Sequence, residues 1–151
     1  MKIEHLILAA IAILSTSTCQ LAATARPLSI AEQEVEEQLQ AAIAAQKDEG
    51  YQLAFPRTLG KLERGVQAPK TVFLNPNREY SFVAVCDRSC SDVDIIVKDM
   101  SGRVVASDIA SDAIAIVPFL PPAEGRYEVN VRIKKCAARN CDFGLGVFVK
   151  S

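Results

Sequence analysis

From Tyr51 onward the hydrophobic period shifts to two, and this period limits the fold more than any other feature. A period of two marks strands with one face in a core and the other toward water. Tyr127, Val129, Val131 and Ile133 alternate with Glu128, Asn130, Arg132 and Lys134, and Phe143, Leu145, Val147 and Val149 repeat the pattern. Tyr80, Phe82 and Ala84 alternate with Ser81, Val83 and Val85, and Val93, Ile95 and Val97 with Asp94, Ile96 and Lys98. Shorter strands are expected over 51–55, ended by Pro56, and over 59–66, 71–74, 103–107 and 113–117. Turn signals separate them: Asn75-Pro76-Asn77, Asp99 to Gly102 as a type I turn, and the rigid Pro121-Pro122-Ala123-Glu124-Gly125. Single apolar faces belong to antiparallel sheets. About eight short strands with regular turns predict an all-β domain, an antiparallel β-sandwich of jelly-roll type.

Before Tyr51 the pattern differs. Ser29 and Glu32 form a capping box, Glu32, Glu34, Glu36 and Glu37 crowd the positive end of the helix dipole, and Gly50 stops the helix after Lys47. Val35, Leu39 and Ile43, flanked by Ala31 and Ala42, make one narrow apolar stripe, so a single N-terminal amphipathic α-helix is expected. It docks either on the domain's own sheet or on a partner. Its acidic polar face argues against a membrane surface.

The first 25 residues read as a cleaved signal peptide. Lys2 opens it, Leu6 to Leu14 form the apolar segment, and Ala23-Thr24-Ala25 fits an A-x-A site, so a mature chain from Arg26 is expected. That apolar segment is far shorter than the roughly 20 residues that cross a bilayer, so no stable membrane insertion is expected after cleavage. Cys19 raises a lipoprotein alternative, disfavoured by Thr18 before it and by Thr16 where a leucine is usual. The chain of 151 residues then divides into a leader over 1–25, a helix over 26–50 and a sandwich over 51–151, room for one ordinary domain.

The inventory excludes much chemistry. The sole histidine, His5, lies in the leader, so the mature chain cannot run a Ser-His-Asp or Cys-His mechanism or build a histidine-bearing zinc site. Formal charge is −1, which argues against a nucleic-acid partner. No catalytic residue is assigned.

Cys86-x-x-x-Cys90 and Cys136-x-x-x-x-Cys141 are four thiols in an exported domain, where disulfides persist. Four cysteines allow three connectivities. Each pair flanks a loop between successive strands, so the local pairs Cys86–Cys90 and Cys136–Cys141 need the least rearrangement. Bridges over such short loops remove little unfolded-state entropy, and their role would be to fix loop shape.

Successive antiparallel strands reverse direction, so every second connection lies at the same end. Loops 87–92, 108–112 and 135–142 are thereby expected at one pole, and turns 99–102 and 120–125 at the other. The first pole gathers both cysteine pairs with Asp87, Asp92, Asp94, Asp108, Asp112 and Asp142, and with Arg88, Lys134, Lys135 and Arg139. Two readings compete. In one, the opposite charges neutralise each other as salt bridges. In the other, Asp92, Asp94, Asp108 and Asp112 hold calcium, which takes roughly six to eight oxygen ligands.

Tyr80-x-Phe82, Asp92-x-Asp94-Ile95, Asp99 to Gly102 and Gly125-x-Tyr127-x-Val129-x-Val131, in that order, resemble the bacterial pre-peptidase C-terminal domain and the related collagen-binding domains of secreted collagenases. The resemblance covers 51–149. It implies a β-sandwich that accompanies exported bacterial hydrolases as a non-catalytic targeting, binding or maturation module, calcium-binding in some members. The chain departs from it in carrying two cysteine pairs and in having a helix where a peptidase would stand.

The sequence therefore predicts a periplasmic or secreted, non-catalytic binding or accessory module that meets a protein or polymer ligand outside the cytoplasm. One alternative is an envelope structural or interaction protein that uses the N-terminal helix. The other is a small hydrolase working with carboxylates alone.

Overall fold

The computed structural model describes residues 25–151. The expected leader, with Cys19 and His5, lies outside them apart from its last residue, Ala25. One helix, α1 (Ile30–Asp48), precedes nine strands: β1 (Tyr51–Leu53), β2 (Thr58–Glu63), β3 (Gln67–Leu74), β4 (Tyr80–Cys86), β5 (Cys90–Lys98), β6 (Val104–Asp108), β7 (Ile114–Phe119), β8 (Gly125–Cys136) and β9 (Asn140–Lys150). All strand pairs are antiparallel.

The strands form two sheets. One runs β1-β9-β4-β7 with β2 also on β9, and the other runs β3-β8-β5-β6. β1 and β2 occupy successive stretches of the same edge of β9, facing residues 148–150 and 140–145 respectively. With those two taken as one interrupted strand, the orders are those of a jelly roll, two Greek keys folded face to face. Pro56 lies in the interruption.

Two boundaries depart most from the sequence reading. β2 ends at Glu63, leaving 64–66 as a loop, and β3 begins at Gln67 rather than Thr71. Pro69 is tolerated because β3 is an edge strand, where every second N–H faces away from the ladder.

The core lies between the sheets and is closed differently at its two ends. At one end Phe119 packs edge-on to Tyr127 with ring centroids 5.4 Å apart, and the Tyr127 hydroxyl donates to the Ala123 carbonyl at 2.8 Å. At the other end the plug is made of cysteines. Cys86, Cys90 and Cys141 are buried in the core cluster, and Cys136 is packed against it.

α1 lies on the outer face of the β9-β4 sheet. The Ser29 hydroxyl accepts the Glu32 N–H at 3.2 Å while the Glu32 carboxylate accepts the Ser29 N–H at 2.6 Å, so the capping box forms. Val35 and Leu39 are buried against Val83, Val85, Tyr51 and Phe148, each side chain contributing about 1.5–3 kcal/mol of apolar burial. β4 and β9 are thus covered on both faces, which is why β4 is buried at every position. Gly144 makes the seat. A Cβ there would lie 3.0 Å from Val35 Cγ1 and 3.2 Å from Leu39 Cδ2, so the helix approaches β9 because no side chain stands between them.

Candidate binding surface

The loops at the cysteine end are 64–66, 87–89, 109–113 and 137–139. Three were expected there. The fourth, 64–66, was hidden because the strand pattern ran on through it to Val66. It is held by the Gly65 N–H, which donates to the Ile133 carbonyl at 2.7 Å, and Gly65 takes a left-handed φ of 82°.

Both disulfides are local, Cys86–Cys90 with Cα atoms 5.8 Å apart and Cys136–Cys141 with Cα atoms 6.0 Å apart. Each spans a connection at which the chain changes sheet. Cys86 ends β4 in one sheet and Cys90 opens β5 in the other, while Cys136 ends β8 and Cys141 lies in β9. Cys90 and Cys136 are register partners, so the two bridges sit side by side. They tie the sheets together at one end only.

Asp87 joins the two cysteine loops. Its Oδ1 accepts the Ser89 N–H at 2.8 Å and its Oδ2 the Asp142 N–H at 2.7 Å, and its own N–H donates to the Asp142 carbonyl at 3.0 Å. The Ala137 N–H donates to the Ser89 carbonyl at 2.8 Å. α1 braces the same place: Gln38 Nε2 donates to the Cys86 carbonyl at 2.8 Å, and Arg88 pairs with Glu34. That pairing holds the Glu34 carboxyl below its ordinary range.

The other aspartates have separate partners. Asp94 takes both Nε and one terminal nitrogen of Arg132 on Oδ2, at 2.8 and 2.5 Å. Asp92 faces Lys135 at 3.8 Å. Asp92 Oδ1 and Asp94 Oδ1 are buried without a hydrogen-bond partner among the described residues. Asp108 serves the sheet edge: its carboxylate accepts the Ala110 N–H at 3.1 Å and the Ile116 N–H at 2.9 Å. Ile116 lies on the edge strand β7, and Pro118 two residues on has no N–H, so this edge offers little to an incoming strand. Asp112 is exposed and contributes its backbone carbonyl to the Val93 N–H at 2.9 Å. Among the described residues no three Asp, Glu, Cys or His side chains converge as ligands for a metal ion.

Asp142 is buried near Lys61, whose Nζ is 3.5 Å away. Burial pushes its carboxyl above the ordinary range, Lys61 pulls it back, and the nearby charges of Asp87 and Glu32 add to the rise. Glu32 goes the other way, to about 2, because Arg26 and the Ser29 cap stabilise its charge. The hollow these carboxylates line with Val35, Leu59, Gly60, Lys61 and Phe143 holds about 140 Å³. That is well below the roughly 300–1,000 Å³ of sites that enclose a small molecule.

No family model matches this chain, and no curated protein matches it. Among solved structures the chain is similar to the periplasmic inhibitor of g-type lysozyme, PliG, of Aeromonas hydrophila. It is 12% identical, with a TM-score of 0.45 over 63% of this chain and 85% of that one. At that level the likeness bears on neither ligand nor activity.

Proposed function

We propose that this chain is an exported, non-catalytic module that binds a partner outside the cytoplasm through its cysteine pole. The observation that carries the reading is the placement of both disulfides at sheet-changing connections on the same end. Bridges over loops this short add only about 2 kcal/mol each by the chain-entropy estimate, little for the number of cysteines committed. What they supply is shape. Loops held rigid before contact lose less freedom on binding, so preorganisation converts directly into affinity. Disulfides persist in oxidising compartments, which supports export. The helix supports the reading as well, since its apolar stripe is spent on the domain's own sheet and its Gln38 and Glu34 brace the Cys86–Cys90 loop.

The motif resemblance to pre-peptidase C-terminal domains extends the proposal: the partner would be a secreted hydrolase or its polymer substrate, with this chain as a separate accessory.

Site-specific photocross-linking in the producing cell tests the reading. A photoreactive residue in place of Ala138, at the cysteine pole, should yield a discrete protein adduct, and one in place of Met100, at the opposite pole, should not. Adducts from Met100 alone would overturn the assignment.

A further inference from the structure

Four aspartates and four basic residues of the cysteine pole differ in depth, while Asp112 and Glu63 stay exposed. Asp87, Asp92, Asp94 and Asp142 are 5% exposed or less. The side chains of Lys61, Lys135, Arg88 and Arg139 are 53%, 62%, 79% and 88% exposed. The cause is side-chain length. Short aspartates at strand ends fold back onto backbone N–H groups or cations beside them, whereas the long basic side chains carry their charges past the loops.

The difference is sharpest beside the Cys136–Cys141 bridge. The bond from Gly65 to Ile133 sets loop 64–66 against the end of β8, and Arg64 there lines the same hollow as Arg139. Among the described residues Arg64 and Lys134 make no ion pair, and Arg139 reaches only Glu63, at 3.8 Å and itself largely exposed. A shallow hollow of about 420 Å³ opens there, lined by Glu63, Arg64, Cys136, Ala137, Ala138 and Arg139. Its floor of alanines and disulfide is small and fixed, which leaves the two guanidinium groups accessible from outside.

We propose that this hollow receives the carboxylates of an acidic protein surface, with Arg64 and Arg139 as the principal contacts and Lys134 and Lys135 steering approach. The inference rests on the cysteine pole being the binding surface and adds the chemistry of what binds. Guanidinium forks pair with carboxylates in two-point geometry. A nucleic acid is disfavoured because no aromatic residue lines the hollow to stack a base, and the formal charge is −1.

The test uses the exported, disulfide-intact protein with a short alternating Glu–Ser peptide as probe, and amide NMR shifts as readout. Shifts should concentrate in 63–66 and 134–139 and shrink as salt is raised, since such contacts are screened over about 8 Å at physiological ionic strength. Arg64→Glu combined with Arg139→Glu should weaken binding about tenfold or more with an unchanged melting transition, while Arg103→Glu at the opposite pole should leave it intact. Shifts centred on the opposite pole, or an oligothymidylate binding as tightly as the peptide, would overturn the inference. Cross-linking through Ala138 that persists while the peptide moves no resonance would overturn this inference alone and leave the binding pole standing.

Discussion

Asp87 and Asp142 hold each other through both backbone and side chain: the Asp142 N–H donates to Asp87 Oδ2 at 2.7 Å, and the Asp87 N–H donates to the Asp142 carbonyl at 3.0 Å. One residue follows Cys86 and the other follows Cys141, so this pair couples the two disulfide loops more directly than either bridge does. Asp87→Ala removes the acceptor and leaves a buried N–H unpaired, which should destabilise the protein by about 1–3 kcal/mol. Urea denaturation measures it. A loss near zero would mean that the loops are held by their disulfides alone.

The helix seat has a comparable weak point. Gly144→Val should lift α1 from β9, because its side chain would occupy the space taken by Val35 and Leu39. Overpacking of this kind costs about 1–3 kcal/mol. Leu39→Ala should cost about 2–5 kcal/mol, because Leu39 is fully buried. Both variants should also loosen loop 87–89, seen as faster amide exchange there.

Tyr51 reports the junction between α1 and the sheet. Its hydroxyl donates to Glu79 at 2.5 Å, and that bond with burial raises its ionisation to about 12. A raised value means that the folded state holds the proton more tightly. The contribution is therefore complete below the ordinary tyrosine value of 10.0 and is lost as pH rises through about 12. Absorbance at alkaline pH should show a tyrosinate step near pH 12 that Tyr51→Phe abolishes.

Calcium and ion pairing make opposite predictions for Asp92 and Asp94. Arg132 and Lys135 already face these carboxylates, so we expect the melting temperature to be the same in millimolar calcium and in chelator. The unpartnered Oδ1 atoms of Asp92 and Asp94 are where a cation would bind. Occupancy at a hundredfold excess over Kd would add about 2.7 kcal/mol. A calcium-specific rise in melting temperature, absent with magnesium and lost in Asp92→Asn, would favour the calcium reading over ion pairing.

The fold was legible because its signals are local. The alternation in β8 and β9, the Ser29 capping box and the Asp99–Gly102 turn each follow from residues close in sequence, and strand reversal alone placed the cysteine loops at one pole. What stayed hidden depends on contacts between distant segments. β3 begins before Pro69 because it is an edge strand, and edge position is not a property of its own residues. The apolar Val83, Val85 and Phe148 on the second face of β4 and β9 make sense only under α1, and Gly144 reads as a weak strand residue until the helix is seen resting on it. At the pole, the sequence supplies nearly equal numbers of acidic and basic residues. The burial of Asp87, Asp92, Asp94 and Asp142 beneath exposed Lys61, Arg88, Lys135 and Arg139 is set by side-chain length and backbone partners, which no count of charges contains.

On this reading the two bridges fix the shape of a surface rather than hold the fold together. Amide hydrogen exchange on the oxidised and fully reduced protein tests it most directly, because local and global opening leave different patterns. Reduction should speed exchange at the loop amides of Asp87, Cys90, Ala137 and Asp142, while the core amides of β4 and β8 keep their protection. Core amides that lose protection to the same extent as the loops would contradict it, and would make the disulfides supports of the whole sandwich.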